Sequence, residues 1–193
     1  VAARKLLIEN RRLRRRVQTK SGLGGEIIGR SATMRDIRSQ VLRLADLPMT
    51  VCIFGETGTG KSVVARALHD YGTGDGDFVT LGCAAKTPRD VREALENLEP
   101  ETATLFLRSI DRLDAASQAI LADFMKSNTR LRIIASMTGG TDSHPEQNLS
   151  DELYFLANVA RIDLPPLRDR GRDVFFLLEV FLRAAAARFD RPL

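Results

Sequence analysis

The chain has 193 residues, 44% hydrophobic and 28% charged, with a net charge of +4. That composition suits a globular protein with room for one sizeable α/β domain. No apolar run approaches membrane-spanning length and the first residues do not read as a signal peptide, so cytoplasmic localisation without a membrane partner is the expectation.

The charge is unevenly placed. Residues 1–20 carry eight basic side chains against Glu9, a net of +7, which leaves −3 for the remainder. The mildly acidic remainder offers no support for a nucleic-acid surface there. Residues 1–20 read as a linker helix. Ala3, Leu6, Asn10, Leu13 and Val17 form a heptad seam with leucines at d and one Asn at a, the pattern of a parallel two-stranded coiled coil. A dimerising linker, a solvated basic helix and a nucleic-acid-binding arm all fit it. Ser21-Gly22-Leu23-Gly24-Gly25 then breaks the chain.

Ser31 reads as an N-cap for a helix with Met34, Ile37, Val41 and Leu44 on one face. Thr50 to Phe54 is apolar and β-branched, a buried strand. Gly55-Glu56-Thr57-Gly58-Thr59-Gly60-Lys61-Ser62 follows and fits G-x-x-x-x-G-K-[ST] at every fixed position; Val63 to His69 continues at helical spacing. Phe78 to Leu81 is a second strand. Pro88 suits the first position of a helix that extends towards Pro100. Thr104 to Leu107 is a third strand, Asp114 to Lys126 a helix capped by Asp114, and Leu131 to Ala135 a fourth strand. Residues 139–149 form a polar loop. Asp151 to Ala157 is a short helix, Val159 to Leu164 a fifth strand, and Asp173 to Phe189 the last helix. Alternating strands and helices predict a five-stranded parallel sheet covered on both faces, with ligands bound at the carboxyl ends of the strands. Cys52 and Cys83 have no metal-ligand spacing and read as reduced, buried thiols; His69 and His144 stand alone and read as structural or solvated.

The glycine-rich stretch carries the chemistry. Gly55, Gly58 and Gly60 allow the backbone to turn its N–H groups inward, and the helix N-terminus adds partial positive charge where phosphate sits. Lys61 is placed for the β- and γ-phosphates and the Ser62 hydroxyl for Mg²⁺. Glu56, Thr57, Thr59 and Val63 complete the expected nucleotide-binding stretch.

Together with Ile28-Gly29-Arg30-Ser31, Phe78-Val79, Cys83-Ala84-Ala85, Thr104 to Leu107, Arg132-Ile133-Ile134-Ala135 and Leu164-Pro165-Pro166-Leu167-Arg168-Asp169-Arg170, this loop resembles the central AAA+ domain of the NtrC-like activators of sigma-54 RNA polymerase. The DctD-type response regulators are the most similar branch. The resemblance implies a three-layer P-loop NTPase sandwich over residues 26–170. Residues 171–193 would be the first lid helix, with most of the helical lid absent. It implies an adenine pocket that includes Ile28 and Gly29, and ATP or ADP as ligand. It also implies a transcriptional regulator of the two-component type. An upstream receiver domain and a downstream Fis-type DNA-binding domain would lie outside this chain. Self-association would be as a dimer through the linker or as a ring, and contact with RNA polymerase indirect.

The departures from the family pattern bear on turnover. Arg108 and Ser109 stand where the family has its Walker B Asp-Glu pair, Thr138 stands at the sensor I position, and Ser150 and Leu156 stand at the arginine-finger positions. Lys86 to Ala103 leave no room for the loop that grips sigma-54. The implied function is a nucleotide-binding module that hydrolyses ATP poorly or not at all, with any Mg²⁺ weakened by Arg108. One alternative is an active ATPase that uses Asp111 or Asp114 in place of the missing acids. Another is a purely structural domain.

Overall fold

A computed structural model describes residues 27–72, 76–100, 102–128, 130–139 and 145–189. The predicted linker helix and His144 lie outside the described residues. Five parallel strands form one sheet in the order β2-β3-β4-β1-β5. They are β1 (Val51–Gly55), β2 (Asp77–Gly82), β3 (Thr102–Arg108), β4 (Arg132–Thr138) and β5 (Ala160–Asp163). The helices are α1 (Ala32–Ala45), α2 (Lys61–Tyr71), α3 (Pro88–Glu96), α4 (Ala115–Ser127), α5 (Asp151–Ala157) and α6 (Asp173–Arg188).

β1 is buried along its whole length between β4 and β5, as its unbroken apolar run requires. Its side chains alternate between two cores. Val51 and Ile53 join Met34, Ile37 and Val41 of α1 and Val64, Ala65 and Leu68 of α2. Cys52 and Phe54 join Val91 and Leu95 of α3, Leu121 and Met125 of α4, and Leu153 of α5. The sheet is therefore covered on both faces, as alternating strands and helices predict.

Local capping follows the sequence closely. Ser31 accepts from the Met34 N–H at 3.3 Å, Asp114 from Ser117 at 2.7 Å, and Ser150 from Leu153 at 3.3 Å. Thr87 and Asp90 form a reciprocal capping box that spans Pro88. Strand ends differ from expectation. β3 and β4 run on to Arg108 and Thr138, past the apolar stretches that predict them. Pairing with neighbouring strands carries the ladder into residues whose side chains are polar.

A half-buried arginine and a buried aspartate tie elements together. The Arg132 guanidinium donates to the carbonyls of Leu44 and Ala45 (2.6 Å each) and of Leu68 (3.0 Å), at the C-terminal turns of α1 and α2. Carbonyls in the last turn of a helix carry partial negative charge, so one cation serves both ends. Asp173, buried at the start of α6, accepts from the N–H of Arg30 (2.6 Å), the N–H of Ser31 (3.0 Å) and the Ser31 hydroxyl (2.7 Å). The rest of α6 is more open: Phe175, Leu178 and Phe181 are more than half exposed.

Burial pushes the Asp173 carboxyl up, but the Ser31 hydroxyl, the two N–H groups and the Arg170 charge outweigh it and hold the carboxyl below its usual range. A carboxyl lowered in the folded state adds stability above its unfolded pKa of about 3.9, and that stability is lost as pH falls through the folded value. We expect Asp173→Asn to cost about 2–3 kcal/mol at pH 7 in urea unfolding, from lost charge-assisted hydrogen bonds. The gap between wild type and variant should narrow as pH is lowered below about 4.

Candidate functional site

The carboxyl end of β1 runs directly into the glycine-rich turn, and α2 begins at Lys61. Gly55, Gly58 and Gly60 have φ of 154°, 85° and 98°, a region that disfavours side chains. At Gly55 the packing adds a second reason. A Cβ there would lie 2.8 Å from both the Leu164 carbonyl and the Thr59 hydroxyl. α2 differs from α1, α3, α4 and α5 in having no side-chain cap. Its N-cap is Gly60, which leaves the first N–H groups of the helix without a side-chain acceptor.

Lys61 is buried, and its ammonium donates to the carbonyls of Gly55 (2.6 Å) and Glu56 (2.8 Å). Burial pulls its pKa down, and the negative charge of Asp111 partly opposes that. Ser62 is exposed and Val63 half-buried on the next turn. Thr57 and Gly58 form the exposed tip, while the Thr59 hydroxyl turns inward onto the Glu56 carbonyl at 2.8 Å.

Two arginines from the segment after β5 hold this loop. Arg168 makes a two-pronged contact with the Glu56 carboxylate, at 2.8 and 2.5 Å, and that contact lowers the Glu56 pKa. Arg170 is buried and donates to the Thr59 carbonyl at 2.5 Å and to the Pro165 carbonyl at 2.9 Å. Arg170 also supports Asp173 electrostatically, and Asp173 fixes Arg30 and Ser31. The Arg30-Ser31 turn that follows Ile28 and Gly29 is thereby linked electrostatically to the loop. Gly29, with φ of 145°, has Asp173 Oδ2 only 2.7 Å from where a Cβ would stand. Sequence reasoning marks Leu164 to Arg170 as a motif but assigns Arg168, Arg170 and Asp173 no role. Their partners lie 111 to 143 residues away, beyond any local pattern.

The polar ends of β3 and β4 lie on the same side of the sheet as this loop, since Gly55 pairs with Thr138. Arg108 closes β3 and is exposed. Ser109 follows in the left-handed region at φ 61°. Its N–H donates to the Ser136 hydroxyl at 3.1 Å, and its own hydroxyl is 3.4 Å from that of Thr138. Asp111 is buried in the turn Ile110–Arg112. It accepts from the Thr138 N–H at 3.1 Å and sits 3.4 Å from the Arg112 guanidinium. Asp114 caps α4. Ser150 caps α5, and Leu156 packs on the core beneath it. Among the described residues no cluster of three His, Cys, Asp or Glu side chains is placed to hold a metal ion. His69 is structural: its ring contacts the Thr104 hydroxyl at 2.9 Å and lies against Phe78. No described helix is long and apolar enough to cross a membrane.

Comparison with known proteins gives this geometry a family. The sigma-54 interaction domain model matches residues 28–167. The dicarboxylate-transport regulator DctD of Pseudomonas aeruginosa is 33% identical over 96% of this chain and 47% of its own length. NtrC of Rhizobium meliloti is 31% identical over 96% of the chain and 46% of its own length. The chain thus spans about half the length of these relatives. NtrX of Brucella abortus, solved with ADP and with ATP, superposes with a TM-score of 0.74 at 26% identity, over 96% of this chain and 50% of NtrX. The P-loop NTPase domain of an E. coli sigma-54 activator matches with a TM-score of 0.56 at 26% identity, covering 72% of this chain and 99% of that domain. The sheet order, the phosphate loop and the extent of the family match together make this chain a member of the sigma-54 interaction domain family, the NtrC-like AAA+ domains.

Proposed function

We propose that this domain is the nucleotide-binding module of a sigma-54-type transcriptional regulator, one that holds ATP or ADP and hydrolyses it poorly or not at all. The observation that carries the reading is an asymmetry at the end of the sheet. The phosphate loop is complete and braced, with Lys61 and Ser62 opening α2. The tip of β3 presents a guanidinium and a hydroxyl, where phosphate-cleaving relatives need acids to hold metal and orient water. That relatives of similar fold have been solved with ADP and ATP supports the ligand class.

The surroundings support loss of turnover. The Asp111 carboxylate is engaged by the Thr138 N–H and faces Arg112, which suits an anchor for the turn rather than a base for water. Ser150 and Leu156 serve a helix cap and core packing. An arginine finger is worth about 10³–10⁵ in rate. The connection from β2 to β3 contains one nine-residue helix, α3. A connection this short leaves no room for a sigma-54-gripping loop. Nucleotide would then act structurally, stiffening the end of the sheet and any contact between copies. Residues 1–20 would supply a dimerising linker to a receiver domain, and residues 171–193 the first helix of a lid.

Saturating ATP or ADP at about 100 times Kd should add about 2.7 kcal/mol of stability, a rise in Tm of roughly 5–10 °C for a domain of this size. Lys61→Ala should abolish that rise, and phosphate release should stay at background. Release at the rate of an intact family member would refute the non-hydrolysing reading.

Arg170→Ala removes a buried brace from the Thr59 carbonyl. It should weaken ADP binding about tenfold in calorimetry and lower stability by about 1–3 kcal/mol, because the carbonyl and the Asp173 charge lose a partner. Arg168→Ala breaks an exposed pair and should change stability by less than about 1 kcal/mol.

A further inference from the structure

The loop fits a nucleotide, but the residues beside it do not fit the divalent cation that normally accompanies one. Ser62 offers a hydroxyl. The carboxylate that should join it is replaced by Arg108, and a guanidinium has no lone pair to give a metal. Asp111, the nearby acid, has its carboxylate engaged by the Thr138 N–H and faced by Arg112. We propose that Arg108 takes the place of the cation: its guanidinium neutralises the terminal phosphates, so that this chain binds a nucleoside triphosphate without metal. The proposal rests on the nucleotide-binding reading above and adds the identity of the counter-charge.

The placement of Arg108 follows from strand periodicity. Thr104, Phe106 and Arg108 lie on one face of β3, because alternate residues share a face. Thr104 contacts His69 in the last turn of α2, and Phe106 belongs to the core that α2 covers. α2 returns antiparallel to the strands, so its first residues, Lys61 and Ser62, lie towards the Arg108 end of that row.

Arg108 is also available. It is exposed, and among the described residues its guanidinium has no ion-pair or hydrogen-bond partner. Its backbone is fixed, with the carbonyl accepting from the Cys83 N–H at 2.9 Å. The adjacent residue on β2 is Gly82, and a Cβ there would meet Arg108 Nη2 at 3.4 Å. The guanidinium therefore lies over this glycine on β2, and it would reach the terminal phosphates by a change of rotamer. An unpaired, always-charged planar fork at the same end of the sheet as the phosphate loop matches phosphate geometry and attracts it. Asp111, three residues on, has its carboxylate facing Arg112 and Thr138 and forms no ion pair with Arg108.

Calorimetry on the full 193-residue chain, with ATP and with ADP, in EDTA and in Mg²⁺, tests this. Wild type should bind ATP in EDTA within about threefold of its affinity in Mg²⁺. Arg108→Ala should weaken metal-free ATP binding by about tenfold or more, and ADP binding less, the loss of a charge-assisted contact to the terminal phosphate. Arg108→Asp should bind ATP only when Mg²⁺ is present. Arg108→Lys, which keeps the charge but not the fork, should fall between wild type and Arg108→Ala. Arg108 is exposed, so unchanged thermal unfolding without ligand is expected of each variant and is checked first. Binding by wild type only in Mg²⁺, or metal-free binding by Arg108→Ala equal to wild type, overturns the role of Arg108 and leaves the nucleotide reading standing. Absence of binding by wild type under both conditions overturns both.

Discussion

The close approach of two chain segments at Gly55 is the constraint on which the rest of the site depends. The segment leaving β5 lies against the end of β1 so tightly that a single methyl group at position 55 would strike both the Leu164 backbone and Thr59. That contact brings Arg168 and Arg170 over the phosphate loop and delivers Asp173 to the turn before α1. The loop is therefore held from outside by side chains as well as from within by its own glycines. Three buried or paired charges thus hold the N–H groups of this turn in one geometry.

The same end of the sheet combines a glycine-rich half and a hydroxyl-rich half. β1 and α2 frame the glycine turn and Lys61. β3 ends in Arg108, followed by Ser109, and β4 carries Ser136 and Thr138. The hydroxyl-rich half is well tied: Ser109 is held by Ser136 and Thr138, and Asp111 by Thr138. The hydroxyls form a short polar seam across two strands.

Much of this was legible in the sequence, for reasons that differ by scale. Caps at Ser31 and Asp114 and the N1 proline at Pro88 are local, so three or four residues suffice to read them. The apolar cores of the strands were equally plain, because a parallel sheet buried on both faces demands continuous hydrophobic runs. Strand ends were not. Arg108 and Thr138 join the sheet by pairing, which leaves no periodicity to detect. The glycines and Lys61 stood out as a motif, whereas the grip of Arg170 and Asp173 on the loop and on α1 depends on folding across the whole chain. The interaction that makes the site rigid is thus the part that spacing alone could not reveal.

Cys52 and Cys83 are both fully buried in the core beneath α3, α4 and α5, one on β1 and one just past β2. Burial drives both thiols upward, Cys83 to about 12, so neither forms the reactive thiolate in the native state. Alkylating reagents can reach them only when the sheet itself opens. The two sulfurs are thus built-in clocks for that opening, and anything that steadies the sheet slows them without touching either one.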